Sequence, residues 1–547
     1  MITQSRPRQF SFTLLAVLFA SCALLFITSL TLATPVKPAN TIVVNPGQSI
    51  QAAIDSATPG DTIVVNVGTY TENLTLGKAV SLTGVNSATV ILNALPSQRV
   101  LTVTGATISN SVSISGLTFA NGNVTDSGGG VLVTNNALPM VENVIFFNNF
   151  AGNSGGGLAV DTFKQITLTN IVAISNTATR GGGGISAGMA TIYGGRFVEN
   201  HSLCTSYPCG GGGIAVTVLT ISGTEFVENT AVHSGGGVYA SSAVITAAQF
   251  MSNYSSYEGG GLWVFANIAL ADSKFVSNSA NSEGGGLYVL PDGFAKITNT
   301  EFSHSTAGIG GGASVGSITL NGGRFEANRA TDVTYSFDGG GGMNVYCSLD
   351  ITGTEFMGNS AYHGGGILYY GSCTYGPNTS HIVNSLFVQN MADVGGAALW
   401  TMSPSNTQIL FTTIASPTLN NVSAIAVATG TVGITNTIIA SHVVGIERIA
   451  GAVYEDYNLF SGNTQNLSGT ISSGTHHPSG STGFVEPIHN DYHLSSDSTA
   501  IDTGADVDVS SDLEGNPRPA KLGFDIGAYE FQYTGPIYKT YLPLIRR

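Results

Sequence analysis

Charge is scarce in this chain. Of its 547 residues only 9% are Asp, Glu, Lys or Arg, against about a quarter in an ordinary globular protein. The water-facing surface must therefore be built from Gly, Ser, Thr and Asn, a neutral and hydrogen-bonding face. The 18 basic and 33 acidic side chains leave a formal charge of −15, which opposes binding to phosphate backbones and anionic lipid; nucleic acid is not an expected partner. Cysteines number five, and neither a CxxC pair nor a histidine cluster of zinc-binding spacing is present. No metal or cofactor is expected on that ground, and helical periodicity is missing from all but one short stretch.

Glycine is abundant, and its placement is periodic. Gly-Gly-Gly followed by an apolar residue, any residue and a second apolar residue returns about every 27 residues from Gly128 to Gly366, as GGGVLV, GGGLAV, GGGISA, GGGIAV, GGGVYA, GGGLWV, GGGLYV, GGGASV, GGGMNV and GGGILY, with a worn copy at GGAALW. A period of this size marks a solenoid, in which each repeat buries its apolar face on its neighbours and so escapes the size limit of a single core. Between successive copies comes FxxN, at Phe197, Phe226, Phe250, Phe275, Phe325, Phe356 and Phe387.

The residues after each triplet alternate apolar, free, apolar, which is the parity of a strand with one buried face. Five residues before each Phe stands Ile or Leu, from Ile192 through Ile382, giving a second strand; Phe opens a third. Three short strands per coil predict a parallel β-helix of roughly fifteen coils stacked about 4.8 Å apart. The Phe column becomes an internal stack, and Asn200, Asn229, Asn253 and Asn278 an amide ladder interrupted at Ser305. Near the start, SIQAAIDSA places Ile50, Ala53, Ile54 and Ala57 on one helical face, ahead of GDTIVV and GTYTENLTL. This block resembles the entry of pectin-lyase-fold proteins, where an IQxAID helix precedes a GTYxE coil. The expected class is thus an all-β, right-handed, single-stranded parallel β-helix with an N-terminal capping helix.

Two further resemblances carry functional expectations. The GGG-apolar and FxxN alternation, over about residues 119 to 411, resembles the repeats of the chlamydial polymorphic outer membrane protein family, with glycine where that family has alanine; the resemblance implies a surface-exposed rod used in adhesion. From DYNLF at Asp456 through AIDTG, DLEGNPRP and DIGAYEF, the chain resembles the choice-of-anchor Q module of bacterial surface proteins. Residues 1–33 read as a signal peptide, with Arg6, Arg8 and an apolar run from Phe12 to about Leu32. The expected organisation is then a cap with first coils at 41–118, the repeat region at 119–453, the anchor-like module at 454–531, and a linker with a sorting tail at 532–547. No membrane-spanning segment is expected in the mature chain, which is read as a monomer at the cell surface or outside the cell.

Once Cys22 leaves with the export segment, four cysteines remain for an oxidising space. Cys204 and Cys209 sit in the insertion SLCTSYPC and Cys347 and Cys373 at matching points of successive repeats; two disulfides or four free thiols are both compatible with this. For ligand contact, the free position after GGG holds Tyr239, Trp263 and Tyr288 in consecutive coils. Parity points all three outward, as an aromatic strip for a linear glycan or as rings stacked beneath a loop. Glu258 and Glu283 precede the same triplets one coil apart, a spacing open to a paired-carboxylate site or to plain hydration. Asp502, Asp512 and Asp525 are candidates for a shared Ca2+ or for capping turns. The motif sets of pectin methylesterases and polygalacturonases are absent. The leading expectation is a non-catalytic, adhesin-like or glycan-binding rod contacting an extracellular glycan or envelope surface; the alternative is a divergent polysaccharide lyase or glycoside hydrolase.

Overall fold

The computed structural model describes residues 39–207, 209–333, 339–371 and 379–532. The chain separates into Met1–Asn40 and Thr41–Arg547, and the fold described is that of the second unit. The signal peptide, Cys373 and the segment beyond Gln532 lie outside the described residues.

One coil shows the construction. After Gly182, Gly183 and Gly184 the chain runs as Ile185–Tyr193, then Arg196–Val198, then His201–Ser202. Each segment pairs parallel and in register with its counterpart one coil on, Ile185 beside Ile214, Phe197 beside Phe226, His201 beside Thr230. Repetition gives a parallel β-solenoid of about 14 turns with three parallel sheets, and a narrow eleven-stranded row formed by the short strands that follow each Asn. The alternating residues turn inward and form one continuous core from Val44 to Val453.

Two columns inside that core tie coil to coil. The rings of Phe197, Phe226, Phe250, Phe275, Phe302, Phe325, Phe356 and Phe387 stack with centroids 4.5–5.0 Å apart. Beside them runs the amide ladder, whose first rungs are Asn149 and Asn176. Where the next coil also carries Asn, Nδ2 donates to its Oδ1 and to a carbonyl of the preceding coil, as Asn200 does to Asn229 and to Ala173, both at 2.9 Å; Asn278 and Asn390 keep only the carbonyl bond. The same Oδ1 accepts the backbone N–H of the Asn below it, Asn200 to Asn229 at 3.1 Å. Where Asn follows Asn, the buried amides of the column are therefore satisfied, which is what makes an amide column tolerable in an apolar interior.

The glycine triplet has a separate reason at each position. Gly182 has φ +64°, a left-handed conformation. A Cβ on Gly183 would lie 2.5 Å from the carbonyl oxygens of Gly212 and His201, and one on Gly184 would lie 2.7 Å from Gly213 O and 3.1 Å from the Phe197 ring.

The start of the rod is capped by the helix Ile50–Ser56. Glu72, the acid of GTYTE, reaches back to its N-terminus and accepts from the N–H of Ile50 at 2.9 Å and of Gln51 at 3.2 Å and from Ser49 Oγ at 2.8 Å, satisfying donors the helix cannot. At the other end parallel pairing continues past residue 453, through Ala452–Asp456 to Ser472–Ser473, so DYNLF belongs to the solenoid. The following residues form one antiparallel hairpin, Phe484–Glu486 with Asp491–Leu494, and lie along the outer side of the phenylalanine sheet. Tyr492, Leu494, Ile526 and Ala528 pack there against Leu386, Ala415, Ile438 and Leu459. Asn436 exchanges both amide bonds with Ala505, at 2.7 and 2.8 Å.

The ladder yields a paired prediction. Asn229→Leu strips partners from Asn200 N, Asn200 Nδ2 and Phe197 O, and is expected to cost about 4 kcal/mol at about 1–3 per orphaned group. Ser305→Asn supplies the rung missing between Asn278 and Asn328, in the space kept by Gly286, and is expected to stabilise by about 1 kcal/mol. Urea unfolding followed by circular dichroism should show midpoints moving in opposite directions.

Candidate functional site

The free position after each triplet forms an outward column. Ala159, Ser186, Ala215, Tyr239, Trp263, Tyr288, Ser314 and Asn344 succeed one another in register along it. Tyr239 stacks on Trp263 at 4.3 Å and 4°, and Tyr288 follows at 6.3 Å. Parity is as expected, but exposure is not: Trp263 is 0% and Tyr288 6% exposed, and Tyr239 alone is half-open. The correction has a local cause. The turn before each triplet folds back over the column, and Tyr207, carried by the insertion loop, sets its edge on Trp263 at 6.1 Å. Loop coverage, rather than sheet side, decides what water reaches.

Glu258 and Glu283 are likewise not free corner acids. Trp263 Nε1 donates to Glu258 Oε2 at 2.9 Å. Glu283 Oε2 accepts from Ser314 Oγ and from Tyr346 OH, each at 2.8 Å, and Asn344 Nδ2 donates to Ser314 Oγ at 3.1 Å. Burial pushes both carboxyls above the usual range; the Trp263 bond opposes this at Glu258, and the Tyr346 and Ser314 bonds oppose it at Glu283. The two acids serve as internal acceptors for the covered tier, and the neighbouring Glu283 charge adds to the upward shift at Glu258.

The open part of the same column is where the structure makes a groove. Below Tyr239 the column carries Ala215, Ser186 and Ala159 before it reaches Leu132, and beside Ala215 lies a cavity of about 810 Å³. Ala215 and Thr217 line it from the strands; Asn153, Ser154, Thr179 and Arg180 line it from the turns; Leu203–Tyr207 and Cys209 wall one side and Tyr239 stands at its end. Cys204 and Cys209 are joined, Cα–Cα 6.2 Å, which holds that wall as a small ring. Arg180 is exposed and is the one charged side chain of the lining. Sequence reading found Tyr239 and the disulfide but missed the groove, whose signal is the run of small residues in the free column next to an insertion.

Elsewhere, Cys347 is disulfide-bonded, its expected partner Cys373 lying outside the described residues. Asp502, Asp512 and Asp525 hold backbone instead of converging on a cation. Asp502 Oδ1 accepts from Gly523 N at 2.8 Å, Asp512 Oδ1 from Asn516 N at 2.8 Å, and Asp525 Oδ1 from Asp502 N at 2.7 Å. Among the described residues no group of three His, Cys, Asp or Glu is placed to bind a metal ion, and through these bonds the three aspartates cap turns. Beside them a buried Arg518 pairs with Glu530 at 2.8 Å and lies 4.4 Å over the Phe411 ring. No helix among the described residues is long and apolar enough to cross a membrane.

No family model matches the chain, and no curated protein matches it. Among solved structures the chain is similar to pectate lyase Pel9A at 12% identity and a TM-score of 0.22, over 91% of this chain and 98% of that one.

Glu283 gives a pH prediction. Its folded pKa lies above its unfolded one, so its contribution to stability is whole below about pH 4 and is lost as pH rises through the folded value. Glu283→Gln keeps an oxygen that accepts from Ser314 and Tyr346 without the buried charge. It is expected to be more stable than the parent at pH 8 and equal or weaker at pH 4, in thermal melts at the two pH values; an unchanged difference would show that the charge is not the cost.

Proposed function

We propose that this protein is an exported β-helix rod, displayed at a cell surface or released, that holds a glycan without cleaving it. The observation that supports this reading is the groove ending on Tyr239. A half-open phenol ring offers a face for stacking on a sugar, and the hydroxyls and amide of Ser154, Thr179, Thr217 and Asn153 beside it suit neutral hydrogen bonding. The lining has no carboxylate, so it lacks the acid and base pair of a hydrolase. The polymorphic outer membrane protein-like repeats and the choice-of-anchor-like C-terminal motifs support export and display.

The test combines binding with product release. Residues 41–531, incubated with an oligosaccharide panel, are expected to bind at least one member, with Tyr239→Ala lowering that affinity at least tenfold and Tyr239→Phe retaining it. New reducing ends or unsaturated uronates that disappear in Arg180→Gln would instead establish a divergent carbohydrate-active enzyme.

A further inference from the structure

The charge of the groove is opposite to that of the chain. Arg99, Arg196, Lys274, Arg324 and Arg518 are each matched by a carboxylate; among the described residues Arg180, like Lys78, Lys164, Lys296, Arg329 and Arg448, forms no ion pair. In a chain of net charge −15, the groove that contains Tyr239 thus presents an unmatched guanidinium and no acid. An exposed cation facing a concave, hydroxyl-lined wall attracts a single anionic group by charge-assisted hydrogen bonding, and guanidinium geometry fits a carboxylate or sulfate oxygen pair.

The groove is also blind at one end. Tyr239 closes it, and behind Tyr239 the column is filled by Trp263, fully buried with Tyr207 against it. A chain lying along the groove cannot continue past that wall. Arg180 stands on the turn of the coil carrying Ser186, two coils before Tyr239, a separation of about 10 Å along the axis at the spacing of paired strands. A long polyanion would meet both the end wall and the repulsion of the surrounding acidic surface.

We infer that the groove takes the end of a saccharide chain bearing one acidic sugar, with the terminal ring on Tyr239 and the anionic group at Arg180. The inference rests on the reading of the groove as a glycan site, and adds to it the ligand's charge and its end-on entry. Carboxylated and sulfated sugars share the required chemistry.

Isothermal titration with residues 41–531 tests this with four probes: a neutral tetrasaccharide that binds, the same tetrasaccharide carrying one carboxylated sugar, its singly sulfated counterpart, and the carboxylated form blocked at both ends with bulky groups. At least one singly anionic form is expected to bind tenfold or more tighter than the neutral one, and the better of the two identifies the source of the anion. Arg180→Gln should erase that gain, and a thermal melt of the variant matching the parent's reports that the groove is still folded. The doubly blocked form should lose binding. Equal affinity for neutral and anionic forms, or a gain that survives Arg180→Gln, would overturn the charge assignment with the glycan reading intact. Undiminished binding of the blocked form would overturn end-on entry. Failure of every saccharide, neutral ones included, would remove the glycan reading itself and this inference with it.

Discussion

Everything in this rod depends on one close passage of backbone past backbone. At the second glycine of each triplet the chain is hemmed in from two sides, by the triplet of the next coil and by the short strand that follows the next Asn; at Gly183 a Cβ would stand 2.5 Å from a carbonyl oxygen of each. The worn copy shows that this passage, more than the left-handed turn, excludes side chains. There Gly396 keeps its positive φ, while Ala397 and Ala398 replace the second and third glycines. The narrow row of short strands ends with Met391–Gly395, so the coil that follows brings no such strand against the corner, and a methyl group fits. Where the corner is tight, coil geometry repeats, and repetition brings Phe over Phe and Asn over Asn.

Much of that was legible in the residues themselves. Alternation after each triplet gives the inward face, and Ile192 before Phe197 gives the second sheet, because a strand has period two and a coil must present its apolar side to one interior. The ladder was legible from Asn200 onward. Of its first rungs, Asn176 was not, since it follows Ala173 instead of a Phe; Asn149 does follow Phe146, but that break separates it from the run. The end of the repeats was misplaced for a similar reason: Tyr454 and Glu455 carry no triplet, yet backbone pairing needs none and continues through them. Glu72 shows the opposite case, a motif whose chemistry becomes plain only once the strand places it under a helix N-terminus.

The site was half legible for one physical cause. Parity fixes the side of a sheet on which a residue lies, and it placed Tyr239, Trp263 and Tyr288 together outside. Coverage is fixed by turns and insertions whose paths have no period. One disulfide-closed loop separates a filled, dry tier at Trp263 from an open groove at Ala215. The pairing of side-chain sizes along the free column, small in three coils and aromatic in the next three, is what turns a continuous outer furrow into a cavity with an end wall.

The covered tier also answers a weakness in the interior. At Ser305 the amide ladder is broken, so coupling between the coils of Asn278 and Asn328 loses a rung that all neighbouring coils possess. On the outer face of those same coils, Glu283 accepts from Ser314 one coil on and from Tyr346 one coil further, and Asn344 joins Ser314. In a solenoid, stability is carried by contacts between nearest neighbours, and a weak interface between two coils is where the array would open. Bonds to a charged acceptor are stronger than an amide rung, and this set spans the gap from outside. A buried carboxylate that costs its desolvation is here set beside the joint where the amide ladder lacks a rung, while the phenylalanine stack continues through Phe302.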